Sequence, residues 1–390
     1  MTDISDESNI GYEEEVEEEI MEDDLDINND GCDGEDKKKN SGFLKQFASK
    51  QPFYKMSLPI SYSEPRSFLE KLSDQGSFLD ILLKVKNIEN EDDRFLEILK
   101  FYLSGWIQQK IAKSPFNPVI GETYQCKWVH KDGSTTEYIA EQISHHPPSS
   151  SFCMHNQQNG VIFHSHLSPT SKFWGNSLEN SMEGKLVYEI PSLQEEYIVE
   201  APKIIVKGVL VGSLSTETVG STNLTCKKTG YSAEIEFKGK GLFKSKHSLL
   251  VKVKHPSSKK ALYTLEGKFD GTVSITSTKT GKTTAFFDIN SDQIQPITSP
   301  LHELEENNSR VVWKHVIENL LNNNEDEASK QKTIVEENQR NLAKTREGKP
   351  WIPKNFIKVD NDDNEDSANQ NNVYYYSKLI EIRKEIMKNN

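Results

Sequence analysis

The chain has 390 residues, enough for one large domain or two ordinary ones, and hydrophobic residues make up 34% of it. No run approaches the roughly 18 consecutive apolar residues that a membrane-spanning helix requires, and the acidic N-terminus does not match a secretory signal peptide. The four cysteines are scattered without a C-x-x-C pair; this spacing fits neither a disulfide framework nor a zinc ribbon, so we expect a cytoplasmic protein.

The formal net charge of −13 is unevenly distributed along the chain. Residues 1–36 contain 17 acidic residues and no Lys or Arg, so the chain after residue 36 carries a formal charge of +4. Like charges at this density repel one another and cannot bury a core. We therefore predict that residues 1–39 form a disordered acidic tail.

A short amphipathic segment follows the tail, at residues 40–55. Phe43, Leu44 and Phe47 fall on one face of a predicted helix, with Ser, Gln and Lys on the other face. Such a helix can lie on a membrane, cover an apolar opening as a lid, or dock on the body as an ordinary surface helix. The spacing alone leaves these alternatives open.

The pattern then changes from helix to strand. Residues 64–112 predict a helical lead-in, because the apolar residues from Phe95 to Leu103 recur with the period of a helix. From about 115 to 295, short runs alternate apolar with polar residues and are separated by Gly, Asn, Ser and Thr. The clearest runs are 123–129, 161–167, 185–190, 204–211, 233–237, 249–254 and 261–269.

Many strands with short connections and no intervening helices predict an antiparallel sheet that closes into a barrel. A barrel of well over eight strands has an interior too wide for its own side chains to fill, which indicates a bound ligand. Helical patterns return between 300 and 390, at 309–321, 328–347 and 374–388. The sequence thus predicts a mainly β fold with α additions.

The run His145-His146-Pro147-Pro148 carries the clearest chemistry. Because a residue before proline is pushed out of the helical region, we expect His146 and Pro147 to be extended and the imidazoles to project in fixed directions. Two nitrogen donors, partly charged near neutral pH, suit an anionic oxygen such as that of a phosphate. The pair can equally cap a strand and make only local hydrogen bonds.

Two further segments offer polar groups. Lys332, Glu336 and Arg340 are spaced by four residues and share one stripe of a predicted helix, either as a solvated face or as phosphate donors held by the glutamate. The segment 113–122 contains two prolines that stiffen a turn, in which Asn117 offers both a donor and an acceptor.

Histidines 155, 164 and 166 raise the possibility of a metal site. His164 and His166 share one face of a predicted strand, but zinc needs three or four convergent ligands. We interpret them as barrel wall and predict no metal site. A hydrolase built on these residues and His145-His146 would lack a carboxylate at ligand spacing and a nucleophile elbow, so we do not expect an enzyme.

A lysine-rich stretch lies at 227–260, which contains ten lysines and two glutamates and so carries a formal net charge of +8. Alternation along strands places its lysine pairs on one face, either as a solvated sheet surface or as a docking surface for an anionic membrane. No aromatic stacking platform accompanies them, so nucleic acid is not an expected partner. The candidate docking residues are Lys238, Lys240, Lys244, Lys246, Lys252 and Lys254.

Taken together, these segments resemble the oxysterol-binding protein family. The octapeptide Glu141-Gln142-Ile143-Ser144-His145-His146-Pro147-Pro148 is similar to that family's E-Q-x-S-H-H-P-P signature. The resemblance covers roughly residues 40 to 385 and leaves the acidic tail outside. Further landmarks follow in the family's order: Ser57-Leu58-Pro59 with Glu64-Pro65-Arg66-Ser67, Pro115-Phe116-Asn117-Pro118 with Gly121-Glu122, Lys172-Phe173-Trp174-Gly175, and the helix at 332–340.

The resemblance implies a large near-complete antiparallel β-barrel around a hydrophobic tunnel, with an N-terminal lid and a C-terminal helical subdomain. Family members bind one lipid at a time, a sterol or another tunnel lipid, and many bind phosphatidylinositol 4-phosphate at the mouth. The implied function is lipid transfer between membranes, with transient peripheral binding to anionic surfaces; the alternative is a lipid sensor or scaffold. By resemblance, the headgroup ligands are His145, His146, Asn117, Lys332, Glu336 and Arg340, with Lys113 one residue before the family's usual lysine position.

Overall fold

The computed structural model describes residues 60–106, 113–209, 215–239, 248–269, 271–288, 290, 293–346, 349–359 and 373–388. The acidic tail at 1–39, the candidate lid with Phe43, Leu44 and Phe47, and three of the candidate docking lysines lie outside these residues. Those three are Lys240, Lys244 and Lys246.

Strands dominate the described residues, and fourteen of them, β3 to β16, form one sheet. The strands are β1 (Ser63–Ser67), β2 (Ser114–Phe116), β3 (Thr123–Val129), β4 (Thr135–His145), β5 (Pro148–Asn156), β6 (Val161–Trp174), β7 (Ser177–Glu183), β8 (Lys185–Ile190), β9 (Glu195–Glu200), β10 (Lys203–Lys207), β11 (Ser215–Cys226), β12 (Ser232–Lys238), β13 (Ser248–Lys254), β14 (Tyr263–Lys268), β15 (Thr272–Ser277), β16 (Thr283–Asp288), β17 (Phe356–Val359) and β18 (Val373–Tyr376).

The helices lie before and after this sheet. They are α1 (Phe68–Leu72), α2 (Leu79–Leu82), α3 (Glu91–Ser104), α4 (Ser309–Val312), α5 (Lys314–Leu321), α6 (Glu325–Thr345) and α7 (Leu379–Lys388), with short 3-10 turns between several of them. None of the helices in the described part of the chain has the length and apolar content needed to cross a bilayer.

All fourteen strands of the large sheet pair antiparallel, which confirms the predicted fold class. The long strand β6 pairs with β8 along its first half and with β7 along its second half. Strand β11 likewise pairs with both β9 and β10. The hairpin of β8 and β9 thus fills a fork in the sheet.

The sheet curls around the N-terminal helices. Phe101 of α3 makes edge contacts with Phe163 and Tyr188 on the inner face, at ring distances of 6.0 and 5.7 Å. Both edges of the sheet contact the segment before α2: the Trp128 ring of β3 lies against Gly76, and Phe287 of β16 packs on Phe78 at a ring distance of 5.4 Å. The barrel is therefore partly closed, with helices completing its core.

An ion pair fixes α3 against the wall. Arg94 donates from Nε and Nη2 to the two carboxylate oxygens of Glu195, at 2.7 and 2.5 Å, and the two side chains are only 5% and 2% exposed.

The predicted helical lead-in of 64–112 differs from the structure in two ways. Ser63–Ser67 is a strand parallel to β2, so the segment does not begin as a helix, and 3-10 turns interrupt the helices that follow.

The C-terminal region also differs from its prediction. Residues 374–376 belong to β18, which pairs with β17, and the helix begins only at Leu379. The reason is the run of three tyrosines, a residue type that favours strands and that here covers three histidines on the outer barrel wall. The pairs are Tyr376 with His155, Tyr375 with His164, and Tyr374 with His166.

Candidate functional site

The two adjacent histidines lie at the turn between β4 and β5. His145 is the last residue of β4 and is the register partner of Pro148, the first residue of β5, so His146 and Pro147 form a two-residue turn. The rings of His145 and His146 are 4.6 Å apart and inclined by 57°. His146 is exposed, whereas His145 is partly buried. We call this turn the histidine hairpin.

The protonation state of His145 differs from the sequence-based expectation. Burial of the ring, together with the charges of His146, Arg346 and Arg340, lowers the pKa of His145 to about 4. Its Nδ1 lies 3.2 Å from the carbonyl oxygen of Pro118, and a carbonyl can only accept. The neutral ring therefore carries its proton on Nδ1 and has Nε2 available as an acceptor.

A buried carboxylate organises the segment that faces the hairpin. Glu122 is fully buried and accepts hydrogen bonds from Ser67, from Ser309 Oγ at 2.7 Å, from Trp313 Nε1 at 2.9 Å and from the Val119 amide at 3.0 Å. Burial nevertheless raises the pKa of Glu122. The carboxylate joins the 113–122 turn to β1 and to helices α4 and α5.

The candidate residues on that turn are accessible to solvent. Asn117 and Lys113 are both exposed, whereas Phe116 is buried and stacks on Trp313 at a ring distance of 4.7 Å. The stacked rings hold the turn on the protein body while its polar side chains remain at the surface.

Helix α6 approaches the turn through Gln339, whose Oε1 accepts from the Ile120 amide at 3.2 Å. The predicted stripe is confirmed, because Glu336 lies 3.7 Å from Lys332 Nζ and 3.5 Å from Arg340 Nη2. Burial lowers the pKa of Lys332. About 12 Å of helix separate Lys332 from Arg340.

Three elements thus meet at one end of the barrel: the histidine hairpin, the 113–122 turn and the C-terminal half of α6. Arg340 and Arg346 are close enough to His145 for their charges to act on its pKa. Sequence reasoning missed Arg346 and Gln339 because neither falls on the 332–340 stripe. A basic residue at the C-terminal cap of the predicted helix was the available signal for Arg346.

Glu141, the first residue of the octapeptide, has a role that its position in a strand did not indicate. It is fully buried and accepts from the Lys354 and Asn355 amides, both at 2.8 Å, and from Asn355 Nδ2 at 3.1 Å. The carboxylate therefore fastens the segment after α6 onto strand β4, next to the histidine hairpin.

His164 and His166 belong to the barrel wall, as predicted. His164 Nε2 is 2.6 Å from Glu189, which also accepts two hydrogen bonds from Arg383, and His166 Nδ1 is 2.7 Å from Ser151 Oγ. Although burial opposes it, the bonds from His164 and Arg383 hold the pKa of Glu189 at about 2. Within the described ranges, no group of three or more His, Cys, Asp or Glu residues is placed to hold a metal ion.

The described docking lysines lie on the outer face of β12 and β13. Lys238 is 3.2 Å from Glu236 and Lys254 donates to Glu234, so both are ion-paired. Lys252 is exposed and is the register partner of Glu234. The glutamates thus offset part of the positive charge that the lysine count alone indicates.

Comparison with known proteins places the chain in a family. A family model described as Oxysterol-binding protein matches residues 41–322. The chain belongs to the oxysterol-binding protein family. Oxysterol-binding protein-related protein 8 of Mus musculus is 37% identical over 322 residues, which are 80% of this chain and 36% of that protein. Oxysterol-binding protein 4 of Dictyostelium discoideum is 33% identical over 317 residues, 77% of this chain and 68% of that protein.

The chain therefore spans about a third of the length of the mouse relative. Among solved structures, the Osh1 ORD domain in complex with cholesterol has a TM-score of 0.72 at 21% identity and matches 92% of this chain and 90% of its own. The Osh3 ORD in complex with PI(4)P from Saccharomyces cerevisiae has a TM-score of 0.66 at 23% identity, over 82% and 87%. These two likenesses support the fold.

Proposed function

We propose that this chain is a lipid carrier that binds phosphatidylinositol 4-phosphate at the histidine hairpin and a sterol or similar lipid inside the barrel. The observation that supports the proposal is the contact of the 113–122 turn with both α6, through Gln339, and His145, through the Pro118 carbonyl, which brings the charges of Arg340 and Arg346 near enough to act on His145. Arginine and histidine donors grouped around a tight turn suit a phosphate monoester. Asn117 on the turn supplies an amide for an inositol hydroxyl.

Lys332 and Glu336 extend the proposed site along α6. Glu336 lies between Lys332 and Arg340, so it orients both cations and offers an acceptor to the sugar ring. Lys113 is exposed beside the same turn and is a further candidate. Relatives with the same fold hold cholesterol in one structure and PI(4)P in another, which supports two lipids competing for one protein.

A lipid carrier exchanges lipids between membranes and does not convert them chemically. Because the proposed ligands are bound and released unchanged, the chain is not an enzyme in this account, and it acts by visiting membrane surfaces transiently in the cytoplasm. The alternative is a sensor that binds the same lipids and presents a surface to a protein partner. The two functions differ in how much lipid moves for each protein molecule.

A lipid-transfer assay between liposomes distinguishes a carrier from a sensor. Donor vesicles carry a fluorescent sterol, and acceptor vesicles contain or lack phosphatidylinositol 4-phosphate. A carrier moves many sterols per protein and moves them faster when the phosphoinositide is present on the acceptor side. A sensor binds both lipids but moves no more than one equivalent, and that outcome would replace exchange by sensing.

A further inference from the structure

The segment immediately after α6 exposes two large apolar residues side by side. Trp351 is 37% exposed and Ile352 is 83% exposed, and Lys349 and Pro350 before them are exposed as well. Single apolar residues at a protein surface are ordinary. Two adjacent exposed apolar residues in a segment with fixed geometry, in contrast, indicate a surface that binds a partner.

The geometry of this segment is set by three contacts. The Trp351 ring lies over Gly121, where a Cβ would come within 2.3 Å of the ring, so only glycine leaves room for it. The Arg346 guanidinium lies 6.0 Å from the centre of the same ring. Glu141 then holds the backbone at Lys354 and Asn355. Ile352 is therefore held outward between two fixed points.

The segment lies at the barrel end that carries the histidine hairpin. The Gly121 amide donates to the Gln142 carbonyl at 3.0 Å, and Gln142 is three residues before His145, about 10 Å along the strand. Trp351 thus sits beside the proposed headgroup site. Arg346, which contacts the tryptophan, also acts electrostatically on His145.

The surrounding charge favours one kind of partner. Residues 340–350 carry Arg340, Lys344, Arg346 and Lys349 against Glu347, a formal net charge of +3. Basic residues around an exposed tryptophan are typical of protein surfaces that enter the headgroup region of an anionic bilayer, where the indole ring lies at the interface and the cations contact lipid phosphates.

We infer that Trp351 and Ile352 form a membrane anchor that inserts into an anionic lipid surface next to the headgroup site. This inference rests on the proposed function for its purpose, because an anchor there holds the histidine hairpin at the level of the lipid phosphates. The anchor itself needs no phosphoinositide, since its contacts are apolar residues with acyl chains and cations with any anionic lipid.

Ile352→Ser in the full chain tests the anchor, because so exposed a side chain contributes little to the folded core. The matched control is Ile380→Ser. Ile380 is 58% exposed on α7, the helix whose Ile386 lies against Gly160 at the opposite end of β5 from the histidine hairpin. Both variants are measured by co-sedimentation with phosphatidylcholine vesicles containing phosphatidylserine and no phosphoinositide.

We expect Ile352→Ser to weaken vesicle binding by about three- to tenfold and Ile380→Ser to leave it unchanged. Equal binding by Ile352→Ser and the unaltered chain would overturn the inference, as would an equal loss in both variants or no vesicle binding by the unaltered chain. Equal binding would instead indicate that this surface contacts a protein partner and not a membrane.

A soluble short-chain phosphatidylinositol 4-phosphate, titrated without vesicles, separates the anchor from the headgroup site. Ile352→Ser should bind it as the unaltered chain does; a loss would assign the segment to the headgroup site and contradict the anchor. If the unaltered chain does not bind the short-chain lipid, the proposed function fails, while the vesicle experiment still decides the anchor.

Discussion

At the scale of single residues, the proposed headgroup site depends on protons. In the unliganded protein, His145 is neutral and presents Nε2 as an acceptor, which bonds to a fully ionised phosphate oxygen only after it gains a proton. A bound phosphate raises the pKa of a neighbouring imidazole, because the opposite charge favours the cationic form. Headgroup binding should therefore take up a proton at His145.

The predicted pH dependence follows from the sign of this shift. The pKa of His145 is about 4 in the free protein and higher in the complex, so the complex holds more protons and the affinity rises as the pH falls between these values. His145→Asn removes this contribution. Calorimetric titration with the short-chain lipid in buffers of different ionisation enthalpy should show proton uptake of up to about one proton that is absent in His145→Asn.

The comparison with His145→Asn is needed because the phosphate of the lipid titrates in the same pH range. The titration of the free lipid is the same for both proteins, so a difference in proton uptake between them reports the coupled pair of His145 and the bound phosphate. Equal proton uptake by the two proteins would show that His145 does not receive the proton.

Glu141 gives a second prediction at this scale. Glu141→Ala leaves the part-buried amides of Lys354 and Asn355 without their acceptor, at up to about 1–3 kcal/mol for each group. We expect a loss of about 2–4 kcal/mol in the free energy of unfolding, measured by urea denaturation. Glu141→Gln retains one acceptor oxygen and should lose about half as much; an unchanged midpoint in Glu141→Ala would refute the fastening role.

At the scale of elements, α3 depends on its ion pair with the barrel wall. Arg94→Ala leaves the carboxylate of Glu195 buried without its main partner, and breaking a buried pair in this way costs about 3–5 kcal/mol. The double variant Arg94→Met with Glu195→Leu removes both charges and should recover at least half of that loss in urea denaturation. A double variant as unstable as Arg94→Ala would show that the helix contributes through other contacts.

Element boundaries were predictable where one face of a strand is buried. Strand β8 spans the predicted run of 185–190, since Leu186, Tyr188 and Ile190 alternate along it and pack in the main core, and a slip of one residue would expose them. The predicted helix at 374–388 was wrong at its start because the three tyrosines form a strand that packs on the barrel histidines. Those contacts join residues more than 200 positions apart. No local period encodes such a contact.

At the scale of the whole molecule, the strand-rich middle predicted the large antiparallel sheet, but not what fills it. The helices α1 to α3 complete the core inside the curled sheet, which a reading of separate segments cannot show. The same limit applies to the site. The octapeptide and the 332–340 stripe predict a phosphate site, which stays a prediction, whereas Glu122 and Gln339, which bring the elements together, act through partners far along the chain.

In the proposed carrier function the acyl chains of the phosphoinositide and the sterol occupy the same tunnel of the barrel, so the two lipids are mutually exclusive within one molecule. Native mass spectrometry of the full chain after exposure to mixed vesicles reports the lipids bound to each protein molecule. The account predicts complexes with a single sterol or a single phosphatidylinositol 4-phosphate, and none that contains both. Complexes with both lipids would contradict exchange by competition while leaving binding intact.

The most direct test of the central claim is the same measurement on His145→Ala/His146→Ala. This double variant should lose the phosphatidylinositol 4-phosphate complex and keep the sterol complex, because only the headgroup contacts are removed. A double variant that still carries the phosphoinositide in the proportion seen for the unaltered chain would contradict the assignment of the histidine hairpin as the headgroup site.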